Sequence, residues 1–149
     1  LRLVPLDILS TSLSPEENIR AGLSFFMAEV RRVREVVEVL ASGKRALVLF
    51  DELFKGTNVK DAIEASRTVV LGFCKAQRSG FLVTSHLLEL AEELGDTSSI
   101  GFYRLDGEIT DGAAEYGFQV VPGISDRRFG LVLLEREGVP ELLELLGHE

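Results

Sequence analysis

An α/β fold built on a largely parallel sheet is predicted by three features of this sequence. Two short runs, 46–50 (ALVLF) and 80–85 (GFLVTS), are continuously apolar and then turn polar, the pattern of strands buried on both faces of a parallel sheet. Stretches with apolar residues at helical spacing lie between and around them. The order alternates strand with helix instead of gathering the strands into one block, which favours crossover connections.

Each element has its own signal. After an apolar lead-in, Ser14-Pro15-Glu16-Glu17 has the make-up of a helix start: an N-cap, a proline at the first helical position and acids in the first turn. A short helix or turn there ends near Gly22. From 23 to 41, Phe26, Met27, Val30, Val33, Val37 and Leu40 recur at spacings of three and four, an amphipathic helix closed by Ser42-Gly43. The strand 46–50 carries Asp51 and Glu52 at its carboxyl end. A helix over 59–77 follows, then the strand 80–85 and a helix over 87–94. Strands of a meander or hairpin are expected at 100–105, 108–109 and 116–121, with closing helices at 129–137 and 140–146.

At 149 residues and 46% hydrophobic, the chain fits one domain with its own core, since single domains commonly run to roughly 100–200 residues. No repeat, low-complexity tract or Ser/Gly-rich linker argues for an internal boundary. A net charge of −8 excludes nucleic-acid binding over the whole surface, because displacing counterions from phosphates needs a Lys/Arg excess. The one tight basic cluster, Arg31, Arg32 and Arg34, reads as a solvated helix face balanced by Glu29, Glu35 and Glu38, and no function is assigned to it. Cys74 is the single cysteine, set in an apolar run, and is expected to be a buried small hydrophobe in a reducing, cytoplasmic setting. No apolar stretch reaches the roughly 18–20 residues that span a bilayer, and the opening Leu1-Arg2-Leu3-Val4-Pro5 lacks the layout of a signal peptide. That opening, with no initiating Met, points to a segment of a longer protein.

Ligands of open α/β sheets bind beyond the carboxyl ends of the strands, so polar residues there come first. Asp51-Glu52 ends one buried strand: the first carboxylate can hold Mg²⁺ directly or through water, and the second can orient or deprotonate an attacking water. The same pair also occurs in strands that merely lead into a solvated turn. Thr84-Ser85-His86 ends the second strand, where a His can bond a γ-phosphate in a shared site, although a lone His is usually a locally satisfied residue. Between them, Lys55-Gly56-Thr57-Asn58 precedes a helix and is followed by Asp61. Its plain reading is a turn in which Thr57 or Asn58 caps the helix; its functional reading is a loop meeting a nucleotide across a subunit interface.

In combination these segments resemble a family. Gly22-Leu23-Ser24-Phe25-Phe26-Met27-Ala28-Glu29, then Leu47 to Glu52, then Gly56-Thr57-Asn58 with Asp61, then Val83-Thr84-Ser85-His86 are similar, in order and spacing, to the ABC signature, Walker B, D-loop and switch-histidine segments of MutS-family proteins. Gly123-Ile124-Ser125, Phe129-Gly130 and Gly138-Val139-Pro140 resemble the family's closing segment, so the likeness covers essentially the whole chain. The resemblance implies the C-terminal part of an ABC-type ATPase domain with a P-loop NTPase fold. It implies ATP and Mg²⁺ as cofactors, a second MutS-like subunit as partner, and DNA bound through other regions of the parent protein. It further implies that Ser24 reaches the γ-phosphate of a nucleotide held by the partner subunit, a task suited to a helix start; the plain reading of Ser24 is an N-cap of the long helix, and the two readings are compatible. Asp51 would take the metal shell, Glu52 the water and His86 the γ-phosphate, while Asn58 and Asp61 would lie at the subunit interface.

Two departures qualify the likeness. Where mismatch-repair MutS proteins usually carry Gly-Arg-Gly-Thr-Ser followed by Asp-Gly, this chain has Phe54-Lys55-Gly56-Thr57-Asn58 and Asp61-Ala62, which points to a divergent MutS-related branch. No phosphate loop of the form G-x-x-x-x-G-K-S/T is present: Gly43-Lys44 is followed by Arg45, and Glu38 stands where the first Gly belongs. The segment is therefore expected to begin after that loop, to lack its strand and helix, and to hydrolyse little ATP alone. It is also expected to expose apolar strand edges near 46–50 and 80–85 and so to self-associate. Two other readings stand beside this one: a non-catalytic dimerisation domain that keeps the fold, against which the Asp51-Glu52 pair argues, and a different ABC-type ATPase, which the Phe26-Met27 pair and the Gly-Val-Pro segment do not suit.

Overall fold

The structure, a computed structural model, describes residues 5–12, 25–110, 113–126 and 129–147. The chain divides into two compact units, Leu1–Ile100 and Gly101–Glu149.

In the first unit the elements run β1 (Ile8–Ser12), α1 (Phe25–Ala41), β2 (Ala46–Asp51), α2 (Val59–Phe73), β3 (Gly80–Thr84) and α3 (Leu88–Leu94). The strands form one parallel sheet in the order β1-β2-β3, with Ser12 beside Phe50 and Asp51 beside Thr84. β2 is the clearest strand in the sequence and the centre of the sheet. β1 falls where the sequence reads only as lead-in, because after Ile8 and Leu9 it continues Ser10-Thr11-Ser12, without an apolar run. The expected helix start at 14–17 lies outside the described residues.

Period-two alternation divides the sheet into two faces. Ala46, Val48 and Phe50 are buried and join Val33 and Val36 of α1 and Ala62 and Phe73 of α2 in one core. Phe73 is sandwiched between Phe50 and Phe81, with ring centroids 5.9 Å and 4.5 Å away, and the planes are nearly parallel. On the other face Leu9 and Leu82 are exposed, with Leu47 and Leu49 half-buried between them. The exposed edge expected at 46–50 is thus corrected, since β2 is the central strand and is hydrogen-bonded to β1 on one side and β3 on the other.

α1 corrects a second expectation. Its buried residues are Glu29, Val33 and Val36, flanked by half-buried Phe26 and Leu40, whereas Met27, Val30 and Val37 are exposed. The inward stripe is therefore 26-29-33-36-40, and it contains a carboxylate. An apolar count skips Glu29 and so rotates the helix by about half a residue. Glu29 does not balance the arginines: Arg34 pairs with Glu38 on the surface at 2.8 Å, and Arg32 donates to the Thr11 carbonyl at 3.2 Å. Gly43, at φ +79°, ends α1 in a left-handed turn that feeds β2, the C-terminal role read for Ser42-Gly43. α2 stops at Phe73, short of 77, and Cys74 follows as a half-buried free thiol in a stretch closed by i+3 to i backbone hydrogen bonds.

The second unit is an antiparallel hairpin, β4 (Tyr103–Thr110) with β5 (Ala113–Pro122), irregular between Leu105 and Gly107, followed by α4 (Phe129–Arg136), α5 (Val139–Glu144) and a 3₁₀ turn at Leu145–Gly147. The two strand fragments expected at 100–105 and 108–109 are one strand joined across that irregularity. Gly138, at φ +69°, turns the chain from α4 into α5, with Pro140 in the first turn. No described helix is long and apolar enough to cross a membrane.

Candidate functional site

The parallel register between β2 and β3 brings their carboxyl ends together. Asp51 is the last residue of β2, and its neighbour Thr84 is the last of β3, so residues far apart in sequence share one rim. The Thr84 hydroxyl donates to Asp51 Oδ1 at 2.8 Å and accepts the Glu52 N–H at 3.1 Å. One hydroxyl thereby fixes both the aspartate side chain and the backbone of the glutamate. His86 Nδ1 lies 3.1 Å from Glu52 Oε1, so the His86 ring and the Glu52 carboxylate form a pair at the sheet end. Both are accessible to solvent: the His86 side chain is 66% exposed and that of Glu52 37%.

Backbone geometry directs Glu52 away from the line of β2. Glu52 and Phe54 both adopt left-handed conformations, φ 57° and 59°, which non-glycine residues rarely hold outside sites where the surroundings enforce them. Each such residue costs on the order of 1 kcal/mol. Packing offsets that cost on one side: Leu53 and Phe54 are buried, and the Phe54 ring lies 5.6 Å from that of Phe26 on α1. A small cleft at the ends of β1 and β2 is lined by Ser12, Glu29, Asp51 and Glu52 with the aromatic wall of Phe50 and Phe54.

The following loop is held from α1. Glu29 Oε1 accepts the Lys55 N–H at 3.2 Å and Oε2 the Gly56 N–H at 3.1 Å. Burial pushes the Glu29 carboxyl above its ordinary range, and the Gly56 and Lys55 amides and the Lys55 charge act against that push. Gly56 has no room for a side chain. A Cβ there would run into the Phe25 ring and come within 2.8 Å of the Phe26 nitrogen and 3.1 Å of Glu29 Oε2. Asn58 caps α2, its Oδ1 accepting the Asp61 N–H at 3.0 Å and its Nδ2 donating to Asp61 Oδ2 at 2.6 Å. The plain reading of this loop as turn plus cap therefore holds, with Asn58 as the capping residue.

Of the residues singled out in the sequence, Asp51, Glu52 and His86 converge. Asn58 and Asp61 pair with each other at the start of α2. Ser24 lies outside the described residues. Two contributors escape the sequence reading: Thr84, which enters there only as part of a motif, and Glu29, assigned there to a solvated face. A signal for Glu29 exists, as a carboxylate three residues after Phe26 and four before Val33 occupies the inward stripe.

The donor set suits a hard cation. Asp51 offers carboxylate oxygen at a half-buried strand end, and among the described residues no group of three or more His, Cys, Asp or Glu forms a cage of its own. A cation such as Mg²⁺, which keeps several waters and takes one or two carboxylates beside phosphate oxygens, fits such a site.

Comparison with known proteins agrees with the family that the sequence resembles. Relatives described as DNA mismatch repair protein MutS come from Aquifex pyrophilus, 27% identical over 139 residues, Oleidesulfovibrio alaskensis, 28% over 139 residues, and Caldanaerobacter subterraneus, 24% over 152 residues. The alignments cover 93%, 91% and 97% of this chain, and 16%, 15% and 17% of those relatives respectively. The chain thus spans about one sixth of the length of the curated relatives it matches. The family description MutS domain V matches residues 1–145, and by that match across nearly its whole length this chain belongs to the MutS domain V family.

Proposed function

We propose that residues 1–149 form the C-terminal part of the ABC-type ATPase domain of a MutS-like DNA-processing protein, with a P-loop NTPase fold completed by other parts of that protein. The observation that carries this is the convergence of Asp51, Glu52 and His86 at the carboxyl ends of two adjacent parallel strands, where open α/β sheets bind ligands. In this reading Asp51 holds the metal shell, and its orientation is kept by the Thr84 hydroxyl. Glu52 accepts the proton of the attacking water, and His86 bonds the γ-phosphate while steering the Glu52 carboxylate. Mg²⁺ supplies charge neutralisation on the phosphate oxygens when nucleotide is bound.

Ser24 and the Asn58–Asp61 segment belong, in the same reading, to the face offered to a second MutS-like subunit, giving a head-to-tail dimer around two ATP molecules. The closeness of Gly56 to the first turn of α1 supports treating the signature segment and the D-loop as one surface. DNA is bound through other regions of the parent protein, in the cytoplasm. The non-catalytic alternative gains no separate observation.

The test is Mg²⁺-ATP hydrolysis by the full-length protein, wild type against Glu52→Gln. Loss of a general base predicts a turnover drop of about 10²–10⁴-fold with nucleotide binding retained. A wild-type protein that neither binds nor hydrolyses ATP makes the interaction-domain reading the correct one.

A further inference from the structure

Glu29 has no role in the hydrolysis reading above. It is a carboxylate only 8% exposed, on the inward face of a helix, and among the described residues its hydrogen bonds are to backbone N–H groups. Burying such a group costs free energy unless its oxygens are satisfied. Here each oxygen accepts one backbone N–H of consecutive residues, Lys55 and Gly56. The same two residues continue directly from the Glu52–Phe54 turn, whose left-handed φ values need an external restraint to persist. Glu29 also lines the cleft that Asp51 and Glu52 line. Gly56 closes the arrangement sterically, since any side chain there displaces the first turn of α1 or the Glu29 carboxylate.

We propose that Glu29 is a positioning residue: its carboxylate clamps the 53–58 loop to α1 and through it holds Glu52 in the left-handed geometry that presents its carboxylate at the sheet end. The clamp couples the helix that begins at the signature segment to the strand that carries the water-activating residue. Displacement of one is thereby transmitted to the other through two hydrogen bonds and a glycine contact. The catalytic part of this inference rests on the hydrolysis reading above; the clamp itself does not.

Glu29→Gln separates the two. It is nearly isosteric and keeps one acceptor, but sets an amide N–H₂ against one of the two backbone N–H groups. In the full-length protein, hydrogen–deuterium exchange of peptides covering 53–58 is expected to accelerate by about tenfold, the consequence of one lost buried hydrogen bond, with 46–50 unchanged. The kcat for ATP is expected to fall by about 10–100-fold while KM stays within about threefold, as displacement of a catalytic group predicts. Gly56→Ala, which leaves the carboxylate intact, should move both readouts in the same direction and guards against a folding defect peculiar to position 29.

Unchanged exchange at 53–58 in both variants overturns the clamp. Accelerated exchange with unchanged kcat, in a protein whose Glu52→Gln form is inactive, overturns its catalytic use. A wild type without turnover removes the hydrolysis reading and leaves exchange to decide, acceleration supporting the clamp and its absence overturning it.

Discussion

The two halves of the segment from Asp51 to Asp61 are held in opposite ways. At the strand tip, Asp51, Glu52 and His86 are tied by accessible side-chain hydrogen bonds, with Thr84 as the bridge. A few residues on, Leu53 to Gly56 are tied by buried aromatic packing and by a carboxylate shielded from water. The tip is open to a ligand, whereas behind it Leu53 and Phe54 are buried in core and the exposed Lys55 and Gly56 are held by their backbone to Glu29. A reactive carboxylate must be reachable by water and still hold one orientation. On the proposed hydrolysis, with Glu52 as the reactive carboxylate, the access lies at Glu52 and the rigidity one turn away, so that neither requirement compromises the other.

The contrast is broken most severely by emptying the core side. Phe54→Ala removes the ring that packs on Phe26 and is expected to destabilise the protein by about 3–5 kcal/mol, read as a lower urea midpoint. Asn58→Ala removes the reciprocal cap with Asp61 and should cost about 1 kcal/mol in the same measurement. Thr84→Val deletes the hydroxyl at the accessible tip. Its stability effect should stay within about 1 kcal/mol, while turnover of the full-length protein falls more than stability does, because Asp51 and Glu52 lose their shared bond. A Thr84→Val protein with normal kcat would mean that the tip needs no such bridge.

The smallest effect expected is in pH dependence, and it discriminates buried from accessible carboxylates. Glu29 has its pKa raised above 4.5 by burial, so the folded state holds its proton more tightly than the unfolded chain does. Its contribution to stability is therefore fully present below 4.5 and declines as pH rises through the folded value. Asp7, bonded to Arg45, is lowered below 3.8, so its contribution is present above that value and is lost as pH falls through the folded one. Urea midpoints of wild type minus Glu29→Gln should thus decrease on going from acid toward neutral pH. A flat difference would mean that burial does not raise the Glu29 pKa in the folded protein.

Much of the sheet and its polar rim is legible in the sequence. Buried strands at 46–50 and 80–85, with Asp51, Glu52 and His86 at their ends, follow from short apolar runs that stop at polar residues, whereas the central place of the first and the pairing of the two do not. Ser42-Gly43 and Asn58 are legible as helix ends for equally local reasons. The inward face of α1 is not, because an apolar count cannot tell a carboxylate that faces water from one that faces unpaired amides. β1 escapes for a related reason: only pairing with β2 makes Ile8–Ser12 a strand.

What the sequence determined by itself was therefore whatever depends on neighbours along the chain: periodicity, caps, and the polar end of each buried strand. Tertiary structure alone decided what depends on neighbours across space. The register that seats Thr84 between Asp51 and Glu52, the left-handed turn at Glu52, and the burial of Glu29 over Lys55 and Gly56 each join residues whose separation along the chain carries no local signal. A hydrogen bond is satisfied by whichever partner the fold delivers, and only the packed sheet and helices determine which partner that is.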